Sequence, residues 1–224
     1  MQNIEQISVL DRNILHRPAV DTDKIKGTML LLHGYGADEY DLMGVASYFD
    51  ANLQIFSVRG PRLTPYGGAS WFDIDMLADG SLQFNTDQAL ESAKGIVALI
   101  DEMRKLEIVA DEKLVLAGFS QGATISNLVT LLNPEIIKAL LIMSGRLAEQ
   151  AMIFVDRPDN WNDIPVFAGH GTHDNVIPIE FGRELVSFWS KLPVLLEHHE
   201  YPMGHEISQD ELGHIQNWLN QLNW

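Results

Sequence analysis

The 224-residue chain contains no cysteine, which excludes a disulfide framework, a thiolate zinc site and a thiol nucleophile. Basic residues are also scarce, because 15 Lys and Arg face 31 Asp and Glu, for a net charge of −16. No local cluster of Lys and Arg offsets this field, which repels nucleic acid phosphates and anionic lipid headgroups. We therefore expect no nucleic acid partner.

Long apolar runs are missing as well. No uninterrupted apolar stretch exceeds five residues, and the first residues lack a basic segment followed by an apolar run. These features argue against a membrane span and a signal peptide, and with the absence of cysteine they favour a cytoplasmic location. The sequence does not distinguish a monomer from a homodimer, and a homodimer is possible.

What the sequence does contain is typical of one globular domain, which we expect to span residues 1–224. Short apolar runs alternate with stretches of helical period, and neither repeats nor long linkers interrupt them. This alternation predicts an α/β fold with a mostly parallel central sheet and helices on both faces. The predicted strands are Thr28–Leu32, Leu53–Val58, Lys113–Ala117, Ala139–Met143, Pro165–Ala168 and Val194–Glu200, and the predicted helices are Thr86–Leu106, Gln121–Leu132, Ile179–Lys191 and Ser208–Leu222.

Two details of these elements are testable. Thr86 is expected to cap the N-terminus of its helix. Only about twenty residues separate the strand that ends near Ser144 from the one that begins at Pro165, so we expect no large lid domain between them.

The segment from Gly118 to Gly122 has the G-x-S-x-G form of a nucleophile elbow, with Ser120 at its centre. Alone this pattern is weak, but here it follows an apolar strand and opens a helix. The chemistry needs that arrangement, since a tight turn holds the hydroxyl above the sheet edge and a helix N-terminus faces developing negative charge. An incidental serine in a Gly-rich connection is the alternative.

A serine hydroxyl needs a base to remove its proton and an acid to orient that base. Asp174 lies in the loop after the Pro165 strand, at the sheet edge where such folds place ligands. His205 lies between the last strand and the last helix, in the order that an elbow serine requires. The alternatives are a turn aspartate and a surface histidine.

The other histidines are less suited to act as the base. We expect His33, at a strand end, to hold its loop by hydrogen bonds, while His16, His198, His199 and His214 fall within strands or the last helix. His170 and His173, with Asp174, suggest a metal cluster, but their spacing does not match that of binuclear hydrolases. We therefore expect neither a metal nor another cofactor.

Two backbone N–H groups are candidates for an oxyanion hole. One belongs to Gln121, directly after the nucleophile, and the other to Tyr35 in the Gly-rich loop after the Leu32 strand end. An ordinary strand-to-helix connection is the alternative for that loop. No phosphate-binding glycine motif occurs in the chain.

The region 59–85 carries too many apolar residues for a solvated loop, and we expect it to fold over the site. The alternative is that these side chains only plug the sheet edge. An acidic surface with a modest apolar pocket favours neutral esters of small to medium acyl length over polyanionic substrates.

With these motifs in order, the sequence resembles the carboxylesterase/phospholipase family of α/β-hydrolases, which includes the acyl-protein thioesterases. The resemblance covers nearly the whole chain, and Ser70-Trp71-Phe72-Asp73 is similar to the Ala-Trp-Phe-Asp segment of that family. It implies a triad of Ser120, Asp174 and His205. It also implies oxyanion donors at Tyr35 and Gln121 and an acyl-pocket wall at Trp71 and Phe72. Tyr35 departs from the leucine that the thioesterases often have there, which weakens the case for a long-acyl protein substrate.

Three functions follow as hypotheses. The first is a serine carboxylesterase that acts on a small-molecule ester, the second an acyl-protein thioesterase or lysophospholipase. The third is a binding module that has kept the hydrolase fold without catalysis. The presence of all three triad residue types in order argues against this third hypothesis.

Overall fold

An eight-stranded sheet forms the centre of the protein, whose computed structural model describes residues 3–80, 82–109, 114–148 and 163–224. The strands are, in chain order, β1 (Glu5–Val9), β2 (Arg12–Arg17), β3 (Gly27–Leu32), β4 (Leu53–Val58), β5 (Arg62–Leu63), β6 (Ala69–Ser70), β7 (Ile74–Met76), β8 (Leu82–Phe84), β9 (Leu114–Phe119), β10 (Ala139–Met143), β11 (Ile164–Gly171) and β12 (Val194–Tyr201). The α-helices are α1 (Thr86–Lys105), α2 (Gln121–Leu132), α3 (Ile179–Trp189) and α4 (Gln209–Gln221), and short 3-10 helices cover Thr22–Lys24, Leu42–Tyr48 and Pro134–Ile136.

The strand order of the main sheet is β1-β2-β4-β3-β9-β10-β11-β12. The pairs β1 with β2 and β2 with β4 are antiparallel, and every other neighbouring pair is parallel. The predicted α/β architecture with a mostly parallel sheet is therefore confirmed. A strand around His16 was expected, but its antiparallel pairing with β1 and β4 at the sheet edge was not.

Strand β3 shows why the sheet is covered on both faces. All six of its residues are buried, and successive side chains point to opposite sides. Leu30 and Leu32 join an apolar cluster with α1, α2 and α3, whereas Met29 and Leu31 join a second cluster with α4 and the 3-10 helix at 42–48. A strand that is buried on both faces has a nearly continuous apolar sequence, and β3 has one.

The helix boundaries differ slightly from the predicted ones. Asn85, not Thr86, caps α1, because its side-chain oxygen accepts a hydrogen bond from the Gln88 backbone N–H at 3.1 Å. Asn and Thr are both favoured at the N-cap position, so residue type alone does not distinguish Asn85 from Thr86. No α-helix within the described residues is long and apolar enough to cross a membrane.

Two predictions fall partly outside the described residues. The strand predicted from Lys113 is described from Leu114 onward. The expectation of no large lid domain concerns the segment before β11, of which residues 149–162 lie outside the described residues.

The topology positions the site. Strands β3, β9, β11 and β12 are mutually parallel, so their carboxyl ends reach the same edge of the sheet. The loops that follow these strands contain Tyr35, Ser120, Asp174 and His205. This is the edge at which open α/β sheets bind their ligands.

Candidate active site

Ser120 lies at a sharp turn between β9 and α2. Its backbone has φ +55° and ψ −116°, an unusual conformation for a residue with a side chain, and its N–H donates to the Met143 carbonyl at 2.9 Å. A Cβ on Gly122 would overlap the Leu32 carbonyl, and one on Gly118 would overlap the Gly122 carbonyl. The two glycines are therefore required for the strand and helix to approach this closely.

Asp174 is held in the loop between β11 and α3. Its side chain is fully buried, and its Oδ1 atom accepts hydrogen bonds from the backbone N–H groups of Val176 and Ile177, each at 2.8 Å. Hydrogen bonds from N–H groups stabilise the charged form of a carboxylate. The second oxygen, Oδ2, faces His205.

His205 joins the serine to the aspartate. Its Nδ1 atom lies 2.7 Å from Asp174 Oδ2, and its Nε2 atom lies 2.8 Å from Ser120 Oγ. The carboxylate accepts the Nδ1 proton, which leaves the Nε2 lone pair to accept the serine hydroxyl. The ring of Phe119 packs beside the imidazole, with the ring centroids 4.9 Å apart. The structure thus brings together three residues that span 85 positions of the chain.

His33 has a different environment, although it also follows a strand. Its Nε2 atom accepts the Gly60 N–H at 2.9 Å, so the proton is on Nδ1, which donates to the Gly34 carbonyl at 2.7 Å. Burial lowers the pKa of this histidine and keeps the ring neutral. The predicted loop-holding role of His33 matches these contacts.

The candidate metal residues do not converge. His170 Nε2 lies 2.8 Å from the Ile177 carbonyl, to which it donates, and 3.5 Å from Asp174 Oδ2. Within the described ranges, no three His, Asp or Glu side chains form a group able to hold a metal ion. In this structure His170 instead helps to shape the Asp174 loop.

The two residues proposed to supply oxyanion donors line the same cavity as the serine. Residues Tyr35 and Gln121 both line the cavity that contains Ser120. In the described part of the chain, neither backbone N–H has a hydrogen-bond acceptor. Unpaired N–H groups beside a nucleophile are what an oxyanion hole requires.

The Gln121 side chain has a separate role that sequence reasoning did not identify. Its Oε1 atom accepts the Trp71 backbone N–H at 2.8 Å, and its Nε2 group donates to the Phe72 carbonyl at 2.7 Å. Ser92 Oγ donates to the Trp71 carbonyl, which fixes the same segment to α1. The amide therefore holds the 71–72 backbone against the start of α2.

Trp71 itself does not line the cavity, which corrects the expectation of an acyl-pocket wall there. Its side chain is fully buried, and its indole N–H donates to the His33 carbonyl at 2.8 Å. Phe72, by contrast, is among the lining residues. Of the two neighbours, only Phe72 lines the cavity, while the Trp71 side chain is enclosed in the core.

The cavity in front of Ser120 has a volume of about 670 Å³. Its apolar lining comes partly from the 59–85 region, as predicted, through the hairpin of β7 and β8, and partly from the start of α3. These apolar side chains are Phe72, Ile74, Leu82, Phe84, Phe119, Val176, Ile177, Pro178 and Phe181. Other apolar residues of that region, including Tyr66 and Met76, are exposed and do not line it.

The sequence also gave no signal for Arg146, a cationic residue of the cavity wall. It follows β10 in a segment without a recognisable motif. Its place in the Ser120 cavity becomes visible only in the folded structure, where the β7–β8 hairpin and α3 pack beside it.

The fold belongs to a known class. A carboxylesterase structure from Mesorhizobium loti superimposes with a TM-score of 0.81 at 20% identity, covering 98% of this chain and 99% of that chain. At this identity the likeness concerns the fold alone, which is that of the α/β-hydrolases.

The sequence comparisons identify the family within this class. Residues 19–223 match the phospholipase/carboxylesterase family, and this chain belongs to it. Carboxylesterase SOBER1 of Arabidopsis thaliana is 30% identical over 155 residues, which cover 68% of this chain and 67% of that protein. Acyl-protein thioesterase 1 of Mycosarcoma maydis is 30% identical over 228 residues, covering 89% and 92%.

Proposed function

We propose that this protein is a serine carboxylesterase that hydrolyses esters of small to medium acyl length. The observation that carries the proposal is the continuous pair of hydrogen bonds from Ser120 through His205 to Asp174, at 2.8 and 2.7 Å, at the floor of an apolar cavity. Family membership alone is compatible with several acyl substrates, and this geometry supports acyl transfer to Ser120 as the chemistry.

In the first step, Ser120 Oγ attacks the ester carbonyl while His205 Nε2 accepts the hydroxyl proton. Asp174 keeps the imidazole in the tautomer with the proton on Nδ1 and stabilises the imidazolium that forms. His205 then gives its proton to the leaving alcohol. Water, activated by the same histidine, hydrolyses the acyl-enzyme and regenerates the serine.

The oxyanion of each tetrahedral intermediate is assigned to the backbone N–H groups of Tyr35 and Gln121. Removing one such donor typically costs about 3 to 4 kcal/mol of barrier. Because both donors are main-chain groups, their positions depend on the glycine-shaped turns and on the backbone that Gln121 and His33 hold in place.

The proposed substrate class follows from the cavity. A volume of about 670 Å³ lies within the usual range for small-molecule sites, and the wall is mostly apolar. Phe72 contributes to this wall, so we keep it as a substrate-contacting residue. No cofactor enters these steps.

Acyl-protein thioesterase activity is the second candidate, because relatives of similar length carry that name. The same triad cleaves thioesters, and only the leaving group differs. Lysophospholipase activity remains within this candidate class. Comparing rates on an S-acylated peptide with those on the matching oxygen ester distinguishes them, and a strong preference for the small ester rejects the thioesterase.

The direct test is Ser120→Ala, measured on a series of 4-nitrophenyl esters from acetate to palmitate. We expect turnover to fall by at least about 10⁴-fold at every length, while the fold is retained. Ser187→Ala, at an exposed position of α3, is the matched control and is expected to keep full activity. Undiminished turnover by Ser120→Ala would reject the proposal.

The chain-length profile gives the substrate class in the same experiment, with a maximum expected at short to medium acyl chains. Failure of wild-type protein both to turn over any ester and to react with a serine-directed fluorophosphonate would favour the inactive binding module. The cytoplasmic location and the homodimer stay predictions, to be checked by cell fractionation and by light scattering.

A further inference from the structure

The two proposed oxyanion donors lie on segments that are far apart in the chain. Tyr35 follows β3, whereas Gln121 begins α2. An oxyanion hole stabilises charge only when its donors are held around the position of one oxygen atom before the substrate binds. A misplacement of about 1 Å can cost about a hundredfold in rate. The contacts that fix the spacing between these two segments are therefore part of the site.

A short segment, residues 69–72 and called the bridging segment, is bound to the loop that carries Tyr35. All four of its residues are buried. The Ala69 carbonyl accepts the Gly36 N–H at 2.9 Å, and the Ala69 N–H donates to the Ala37 carbonyl at 2.6 Å. The start of the bridging segment thus holds the backbone directly after Tyr35.

The indole of Trp71 holds the backbone before Tyr35. Its N–H donates to the His33 carbonyl at 2.8 Å, and both side chains are completely enclosed. The two rings also lie together, with their centroids 5.3 Å apart, and the imidazole donates to the Gly34 carbonyl at 2.7 Å. The bridging segment therefore fixes the loop on both sides of the proposed donor.

The other end of the bridging segment is bound to the residue that carries the second donor. The Gln121 side-chain amide accepts the Trp71 backbone N–H at 2.8 Å and donates to the Phe72 carbonyl at 2.7 Å. Ser92 Oγ donates to the Trp71 carbonyl and adds a contact with α1. Trp71 is thus bonded to both parts of the hole, through its indole to the Tyr35 loop and through its backbone to Gln121.

We infer that Trp71 is a positioning residue of the oxyanion hole, whose indole and backbone contacts set the spacing between the Tyr35 and Gln121 N–H groups. This inference rests on the proposed esterase function. Loss of the indole N–H leaves the buried His33 carbonyl without that donor, so the backbone beside Tyr35 shifts toward another partner. Such a shift weakens binding of the oxyanion more than binding of the neutral ester, which contacts the apolar wall.

The first measurement is the kinetics of Trp71→Phe, which keeps an aromatic ring in the core and removes the N–H. Rates on 4-nitrophenyl butyrate are expressed per active site, counted by titration with a fluorophosphonate, so that unfolded protein does not contribute. We expect kcat to fall by about tenfold to a hundredfold with KM within about twofold of wild type. Displaced donors should cost less than the 10²-fold to 10³-fold loss typical of a deleted donor.

The second measurement detects the oxyanion itself. A trifluoromethyl ketone with a butyl chain forms a hemiketal when Ser120 Oγ bonds to the ketone carbon and His205 takes the hydroxyl proton. Fluorine NMR follows the ionisation of this hemiketal as a function of pH. In Trp71→Phe the hemiketal should ionise at a higher pH than in wild type, and Ki of the ketone should rise by about the factor by which kcat falls.

Trp189→Phe is the matched control. The Trp189 indole is equally buried and donates to Asn127 Oδ1 at 2.6 Å, and neither residue lines the cavity. This variant should lose stability but keep kcat per active site and the ionisation of the hemiketal. Should Trp71→Phe fail to fold, 3-benzothienylalanine incorporated at position 71 keeps the shape of the indole with sulfur in place of the N–H, and the same changes are expected.

Unchanged kcat per active site and unchanged hemiketal ionisation in the position-71 variants would overturn the inference, even if these proteins are less stable than wild type. Equal changes in Trp189→Phe would also overturn it, because they would show a general effect of a disturbed core. Wild-type protein that neither turns over esters nor reacts with the fluorophosphonate would instead reject the proposed function, and this inference with it.

Discussion

Two fully buried carboxyl groups lie in opposite surroundings in this protein. Asp174, at the candidate site, accepts hydrogen bonds from two backbone N–H groups and faces His205 Nδ1. Glu211, in the first turn of α4, has neither carboxyl oxygen hydrogen-bonded to any described residue. Burial raises the pKa of Glu211 to about 8, so it is mostly protonated at neutral pH.

The difference shows that two carboxyl groups of similar burial can have very different hydrogen-bond partners. The Asp174 loop supplies two backbone N–H donors to Oδ1 and leaves Oδ2 to accept from the imidazole. Glu211 packs against Gly169, where a Cβ would overlap its Oε1 atom, and the Ser208 backbone N–H lowers its pKa less than burial raises it. At Asp174 both carboxyl oxygens have close hydrogen-bond partners, whereas at Glu211 the effect of burial dominates.

The largest effect is expected from Asp174→Asn. The Asn oxygen still accepts the Val176 and Ile177 N–H groups, so its NH₂ group faces His205 and favours the wrong imidazole tautomer. We expect kcat on 4-nitrophenyl butyrate to fall by about 10⁴-fold, as loss of a triad acid generally causes. Asp101→Asn, at an exposed position of α1, serves as control, and a loss of less than tenfold in Asp174→Asn would show that the carboxylate does not orient the base.

Glu211→Gln should change the free energy of unfolding of the protein and the way in which this free energy depends on pH. The folded wild-type protein keeps a proton on Glu211 that the unfolded chain releases near its ordinary pKa, so wild-type stability falls as pH rises from about 5 to about 8. We expect this to cost wild-type protein about 4 kcal/mol over that interval, a loss that Glu211→Gln does not share. Urea unfolding at both pH values measures the difference between the proteins.

The control for this experiment is Asp210→Asn, which removes an exposed charge from the same helical turn. It should change the free energy of unfolding by less than about 1 kcal/mol at either pH. Parallel pH profiles for wild type and Glu211→Gln would mean that Glu211 is not the buried acid described above.

The buried side-chain amide of Gln121 extends the comparison of Asp174 with Glu211 to a neutral group. Its oxygen accepts one hydrogen bond and its nitrogen donates one. Gln121→Met leaves the Trp71 N–H and the Phe72 carbonyl without partners, and we expect the free energy of unfolding to fall by about 2 to 3 kcal/mol. Gln121→Glu keeps the acceptor for Trp71 but sets a carboxylate against the Phe72 carbonyl. Its stability should recover as pH falls, because a protonated carboxyl donates to that carbonyl, and a pH-independent loss would contradict this role.

Much of the site was predictable from the sequence because its parts follow strands. Ser120, Asp174 and His205 each lie in the turn or loop that follows a strand, and parallel strands bring such positions to one edge. The short antiparallel strands β1 and β2 and the β7–β8 hairpin lack that clear pattern. Their pairing depends on contacts between distant segments rather than on local periodicity.

The misplacement of Trp71 and the omission of Arg146 and Glu211 have the same origin. Which of two adjacent aromatic residues lines a cavity depends on the backbone path at 71–72, which Gln121 and Ser92 hold in place through hydrogen bonds. An arginine over two rings, or a glutamate whose burial outweighs its one backbone donor, is defined by its whole packed environment. No spacing within the chain indicates such an environment.

The most direct measurement of the catalytic assignment is mass spectrometry of protein quenched with acid during turnover of a 4-nitrophenyl ester, followed by peptide sequencing. The account predicts that the acyl mass is carried by Ser120, and that Asp174→Asn accumulates it far more slowly. Steady turnover with no acylated protein, or with the acyl group on another residue, would contradict it.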